Sequence, residues 1–321
     1  MSHTLEQFIR FMTDSVGLER TFRLFQAITQ ILSSFALPFE VLIYLLSFTT
    51  QGPPSLAATH TILLALRQRL ALARRFFRLF RCLESFHAAH KLYVSLSPPP
   101  PPGTKAVPPQ PRWVQTEAWL DVFGRTFNAM YLLLEASTMI EALGVEGFAV
   151  WTPEWHRYLT IEAQRFWLFA LVCGVFSGLL KMLKVLAYTP VPPTGQGYSS
   201  DKQQEATGTT GTATATEKPV FKDDDGNENE RWELRREQER LRGIVRDRKQ
   251  GRVAWRREIR SKIRGLGLGV VANALDITLP GSVVGWVKAD AGTVGLAMFV
   301  TTILTGKEVW DRCGREVAGG K

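Results

Sequence analysis

Cysteine is scarce in this chain, and its three copies (Cys82, Cys173 and Cys313) stand too far apart for a C-x-x-C zinc pattern or a disulfide framework. They are expected to fill apolar helix faces in a reducing compartment. Histidine is nearly as sparse. His87 and His90 fall one helical turn apart near Cys82, but no fourth donor stands at ligand spacing, so no metal site is expected. G-x-S-x-G, a G-K-[ST] phosphate loop and H-E-x-x-H are all missing. The Gly-Leu-Gly-Leu-Gly run at 265–269 lacks the preceding strand and the spacing of a nucleotide loop. These absences argue against an enzyme and against a bound cofactor. The first residues carry no basic segment followed by an apolar one, so no secretory signal is expected, and the last carry no lipidation box.

Charge is plentiful but unevenly spread. The 39 Lys plus Arg against 30 Asp plus Glu leave a net +9, and the mean hydropathy is −0.04. Long uncharged stretches alternate with Pro runs, a Thr/Gly tract and an Arg-rich block. That segregation predicts membrane-contacting helices rather than one soluble core. The expected fold class is all-α, with amphipathic and membrane-embedded helices in a bundle and disordered linkers between them.

Six regions follow from the pattern. Residues 1–95 form an N-terminal helical region with a break at Gly17, and a basic amphipathic helix covers 66–93. A Pro-rich linker spans 96–112, where Pro98 to Pro102 favour a stiff polyproline II spacer. An apolar helical pair occupies 113–188. Its uncharged core, 166–180, is 15 residues, short of the roughly 20 that span a bilayer, but Lys181 and Lys184 can snorkel and extend it to Tyr188. A low-complexity linker at 189–230 has too little apolar surface to fold. A basic charged helix fills 231–264, read as solvated and salt-bridged or as a contact to anionic lipid beside the membrane. No nucleic-acid-binding motif accompanies its charge, so no nucleic-acid partner is expected. The Gly-rich stretch 265–313 is expected as a membrane hairpin, with Asp276 and Pro280 kinking its first half.

The helix at 66–93 carries the sharpest local signal. Six arginines precede its first acid, Glu84. On a helical wheel Leu66, Leu70, Phe76, Phe77, Phe80 and Leu83 share a broad apolar arc, and Arg67, Arg74, Arg78 and Arg81 gather opposite. That composition suits a helix lying among lipid headgroups, so these ten residues are the expected lipid-binding set, with anionic lipids as partner. Small residues let helices approach closely in lipid. Gly174 with Gly178 and Gly281 with Gly285 form G-x-x-x-G pairs, and with Gly292 and Gly295 they are the expected contacts between copies in a homo-oligomer. Both Arg-rich regions are expected on one side of the membrane, which requires an even number of crossings between them.

Three of these segments resemble one family. Residues 17–26, Gly-Leu-Glu-Arg-Thr-Phe-Arg-Leu-Phe-Gln, are similar to the opening signature of the peroxisomal biogenesis factor 11 (peroxin-11) family. The basic helix at 66–93 resembles that family's amphipathic helix. Asn273 to Pro280 and the tail from Gly292 to Trp310 resemble its Asp-containing stretch and Gly-rich membrane segment. Ala27 stands where the family usually has an aromatic, and no family counterpart is evident for the Pro run or for 189–230, as in a divergent fungal-type member. The resemblance implies a multi-pass peroxisomal membrane protein with cytosolic termini. Such a protein elongates and tubulates the membrane in proliferation and fission, self-associates, and has the fission machinery as a candidate partner. Two other readings stay open: a solute pore or carrier using Asp276, Lys288 and Asp290, and a soluble basic adaptor.

Overall fold

The computed structural model describes residues 3–49, 55–96, 115–144, 147–189 and 227–319. The expected linkers, 96–112 and 189–230, lie outside the described residues except at their margins. All regular structure among the described residues is helical, as the sequence predicts.

The first two helices, α1 (His3–Thr13) and α2 (Ser15–Ser34), part at Asp14 rather than at Gly17. Asp14 is extended (φ −76°, ψ 131°), and its carboxylate accepts the Gly17 N–H at 3.2 Å as an N-cap. Gly17 serves the packing instead. A Cβ there would lie 2.0 Å from the Phe11 carbonyl oxygen, so only glycine lets α1 fold onto α2. Beyond Phe35, α3 (Ala36–Thr49) leaves at a bend of 100°.

The helix expected at 66–93 is two helices. α4 (Leu56–Arg78) starts well before Leu66, and α5 (Arg81–Leu96) follows a break at Leu79 and Phe80. The backbone tightens there into i→i+3 bonds, Leu79 N–H to Phe76 O at 3.3 Å and Leu83 N–H to Phe80 O at 3.2 Å. α6 (Thr116–Ser137), α7 (Met139–Leu143) and α8 (Pro153–Tyr188) come next. α9 (Asn227–Asp276) unites the expected basic helix with the start of the expected hairpin. α10 (Thr278–Val284) and α11 (Ala291–Gly319) complete the chain, with the kink expected near Asp276 falling between α9 and α10.

Two compact units can be separated: Met1–Leu183 with Gly265–Lys321, and Lys184–Arg264. In the first, helices pack as antiparallel neighbours. Phe35, Gln30 and Arg23 of α2 meet Gly292, Gly295 and Thr301 of α11 in turn. Along α5 and α6, Tyr93 faces Trp119, and Ser85 accepts from Asn128 at 3.2 Å. Between α6 and α8, Asp121 faces Ser177, Phe127 faces Phe169, and Tyr131 stacks on Trp167 at 5.3 Å. Gly178 and Gly174 of α8 then lie against Val270 and Asn273 of α9. In the second unit the described part of α9 is mostly exposed.

Among the described residues two helical segments are long and apolar enough to cross a membrane, Pro153–Tyr188 and Gln238–Val284, and the bent pair α2–α3 makes a third if counted as one broken span. At 1.5 Å per residue the 36-residue α8 is about 54 Å long, ample for a bilayer. α6, the other half of the expected apolar pair, does not qualify among the described residues.

Candidate functional site

On α2, Glu19, Arg23, Gln26 and Gln30 recur at three- and four-residue steps and form one polar stripe along the helix. On α4, Arg74 and Arg78 stand one turn apart. The fold turns these stripes inward. Arg74 donates from Nε and Nη2 to Glu19 Oε1 at 3.2 and 3.1 Å, and from Nη1 to Gln26 Oε1 at 2.6 Å. Arg78 donates to Glu135 Oε1 at 2.8 Å and to the Tyr131 hydroxyl at 3.1 Å, and that hydroxyl donates to the same Glu135 oxygen at 3.0 Å. Arg23 Nη2 reaches Asp276 Oδ1 at 2.5 Å and Thr301 Oγ1 at 3.2 Å, tying α2 to the end of α9 and to α11. Asp121 of α6 accepts from Lys181 and Ser177 of α8, each at 2.5 Å.

Burial and the adjacent Arg78 lower the Arg74 pKa to about 10, so it stays charged at neutral pH. Burial, with Glu135 close by, raises the Tyr131 hydroxyl to about 12, so it remains a donor. Burial alone would lower Arg78, but the Glu135 carboxylate beside it reverses the direction. Each enclosed charge thus depends on a partner from another helix.

On α3 to α5 large apolar side chains also face outward, beside exposed Glu40, Arg69 and Glu84. Leu37 is 75% exposed, Phe48 70% and Phe80 74%, with Val41, Tyr44, Leu45, Ile62 and Leu83 also exposed. Charge enclosed and large apolar side chains outward is the polarity of a protein in contact with lipid.

The ten expected lipid-binding residues therefore divide. Leu66, Phe76, Phe80 and Leu83 are exposed, while Arg67, Leu70 and Arg81 are intermediate. Phe77 stacks on Phe22 at 5.4 Å. Arg74 and Arg78 correct the wheel: they are held inside by Glu19 and Glu135 and do not line an outer polar face. Those acids lie 55 and 57 residues away in the chain, beyond the reach of any single-helix projection.

Five of the six glycines meet their own chain. A Cβ on Gly174 would lie 2.7 Å from Asn273 Nδ2, on Gly178 2.5 Å from Val270 Cγ2, on Gly281 2.6 Å from Val287 Cγ2, and on Gly292 2.7 Å from the Phe35 ring. Gly295 packs on Gln30 and Ile31, and Gly285 ends α10 in the left-handed region at φ 86°. Within the chain these positions serve helix packing and a turn.

Sequence reading missed Glu19, Arg23, Glu135 and Asp121 as members of this arrangement. The available signal was charge at helical spacing on an apolar stripe, which Glu19 and Arg23 display. Among the described residues, no group of three or more His, Cys, Asp or Glu side chains is placed to hold a metal ion.

The sequence model of the family Peroxisomal biogenesis factor 11 (PEX11) matches residues 5–223 and 225–310. The chain belongs to that family. The match covers the Pro run and nearly all of 189–230, so the stretches without an evident counterpart lie within the extent of the PEX11 family. Searches of curated proteins and of solved structures found no match. PEX11 membership makes the chain a peroxisome biogenesis factor with a role at the peroxisomal membrane in proliferation.

Proposed function

We propose that the chain remodels the peroxisomal membrane by seating its apolar outer face in one leaflet, as a multi-pass protein that elongates and tubulates the organelle before fission. The reversed polarity carries this reading: Phe76 on α4, Phe80 at the break and Leu83 on α5 are exposed while Arg74 and Arg78 of α4 are satisfied inside. In this reading α8 and the apolar end of α9 anchor the chain. The bent α2–α3 pair and the α4–α5 break place bulky side chains at the acyl boundary, expanding one leaflet relative to the other. Burying one large apolar side chain is worth roughly 1.5–3 kcal/mol, so a few of them hold such a wedge in place.

Self-association and engagement of the fission machinery belong to the same proposal. Since five of the six glycines pack within the chain, copies would gather through the exposed apolar flanks of α3 and α4. Asp276, central to the pore alternative, is paired with Arg23, and Asp290 accepts from the Thr293 hydroxyl at 2.8 Å, so neither supports a conducting path.

The test is reconstitution of the full chain in vesicles with electron microscopy of their shape. Wild type is expected to draw tubules. A variant with Phe76, Phe80 and Leu83 changed to Ser is expected to insert through α8 but leave vesicles round. Equal tubulation by both would refute the wedge.

A further inference from the structure

The proposed wedge makes no use of the basic stretch of α9. At 100° per residue, Arg242, Arg246, Lys249, Arg256, Arg257 and Arg260 fall within one arc of about 100°, and all six are exposed. Asp247 and Glu258 lie on the far side, and Glu239 stands at the edge of the arc. A strip of Leu241, Ile244, Ile259 and Ile263 runs beside it, interrupted by Arg248 and Arg252, which add to the charge.

This arrangement opposes its own helix. Arg242 with Arg246 and Arg256 with Arg260 are like charges one turn apart, which destabilise a helix left in water. The Glu258–Lys262 pair at 2.7 Å lies off the arc and does not neutralise it. Gly243 and Gly251 meet nothing within 4 Å and lower helix propensity further. A surface of negative charge would relieve the repulsion along the whole arc at once.

We infer that this arc of α9 is a docking surface for anionic lipid headgroups, separate from the apolar face of α3–α5. From Arg242 to Arg260 the charges spread over about 27 Å of helix, matching a diffuse surface better than a compact acidic pocket. The apolar strip at its side suits the headgroup boundary. The same helix also runs on into the apolar end of a candidate membrane span. Charge on α9 would then make residence depend on lipid composition, while the outer apolar face would determine penetration.

The full chain can be reconstituted in phosphatidylcholine vesicles with or without about 30% phosphatidylserine in both leaflets, and amide hydrogen exchange followed across 241–264. Exchange there is expected to be about tenfold slower with the anionic lipid, and the difference should vanish near 0.5 M salt. Changing Arg246, Lys249, Arg256, Arg257 and Arg260 to Gln should abolish the difference while peptides of α2 and α11 exchange as before. Equal exchange in neutral and anionic vesicles would overturn the inference. So would slowing that survives salt, which would mark apolar or protein contact. Neither result bears on vesicle shape, so the wedge stands or falls separately.

Discussion

Arg74 and Glu19 meet across α4 and α2 with two guanidinium nitrogens on one carboxylate oxygen, at 3.1 and 3.2 Å, and both side chains are buried. The pair joins helices that the chain separates by α3, and Gln26 closes the arginine's remaining side at 2.6 Å. Glu19 also has Arg20 Nε at 3.6 Å, whereas among the described residues Glu19 is the one acid that Arg74 reaches.

Replacing Glu19 by Ala is therefore expected to cost about 3–5 kcal/mol, because it leaves the enclosed Arg74 without an acid, and Arg74→Ala should cost less because Arg20 still pairs with Glu19. The double variant Glu19→Gln, Arg74→Met should lose much less than the sum. Denaturant unfolding of the full chain in detergent reads both, and strictly additive losses would show that the two residues do not act as a unit.

Adjacent phenylalanines should behave oppositely. Phe77 stacks on Phe22, so Phe77→Ala is expected to destabilise the fold by about 3 kcal/mol. Phe76 is 51% exposed, and Phe76→Ser should stay within about 0.5 kcal/mol in detergent while weakening vesicle penetration. Thermal unfolding beside vesicle flotation separates the two.

Glycine substitutions test whether close approach is intramolecular. Gly17→Ala meets the Phe11 carbonyl and Gly178→Leu meets Val270, so each should cost about 1–3 kcal/mol or displace a helix. Cross-linking between copies should change no more than this loss of folding explains. A stable, fully folded Gly178→Leu protein that no longer cross-links would restore the intermolecular role.

Acid should release the turn before α8. The Glu141 carboxylate accepts the Val150 and Trp151 N–H groups at 2.9 and 2.8 Å. Slight desolvation pushes its pKa up, but these bonds outweigh it and the net direction is down. A lowered carboxylate contributes stability that is present above its unfolded value and lost as pH falls through the folded one. Protection factors of the Val150 and Trp151 amides should hold at neutral pH and fall once the pH drops below the ordinary carboxylate range. In Glu141→Gln they should be low throughout.

Much of the helix content was legible because apolar spacing repeats along each segment, as at Phe22, Phe25, Ile28 and Leu32. Boundaries were less so. The wheel from Leu66 treated the chain as one rod, whereas the backbone breaks at Leu79 and Phe80, where no glycine or proline marks it. The direction in which Arg74 and Arg78 point was not legible, because Glu19 and Glu135 supply the deciding attraction from other helices. Glycine spacing located real close contacts at Gly174 and Gly178, but a repeat cannot say whether the partner helix belongs to the same chain. Asp276 was readable as an unusual charge; its partner Arg23, 253 residues upstream, was not.

The pairing of α1 with the far part of α11 has a consequence for biosynthesis. Gln7 donates to the Trp310 carbonyl at 2.9 Å across 303 residues, and Arg312 reaches Asp14 at 2.5 Å. At about 5–20 residues per second, roughly 15–60 s pass between translation of Gln7 and translation of Trp310. For that time the Gln7 and Phe11 side of α1, and Asp14 just past its end, have no α11 beside them, so a holding chaperone or the membrane itself must shield the Phe11 ring. Closure of the bundle is then a late event that follows emergence of α11 from the ribosome.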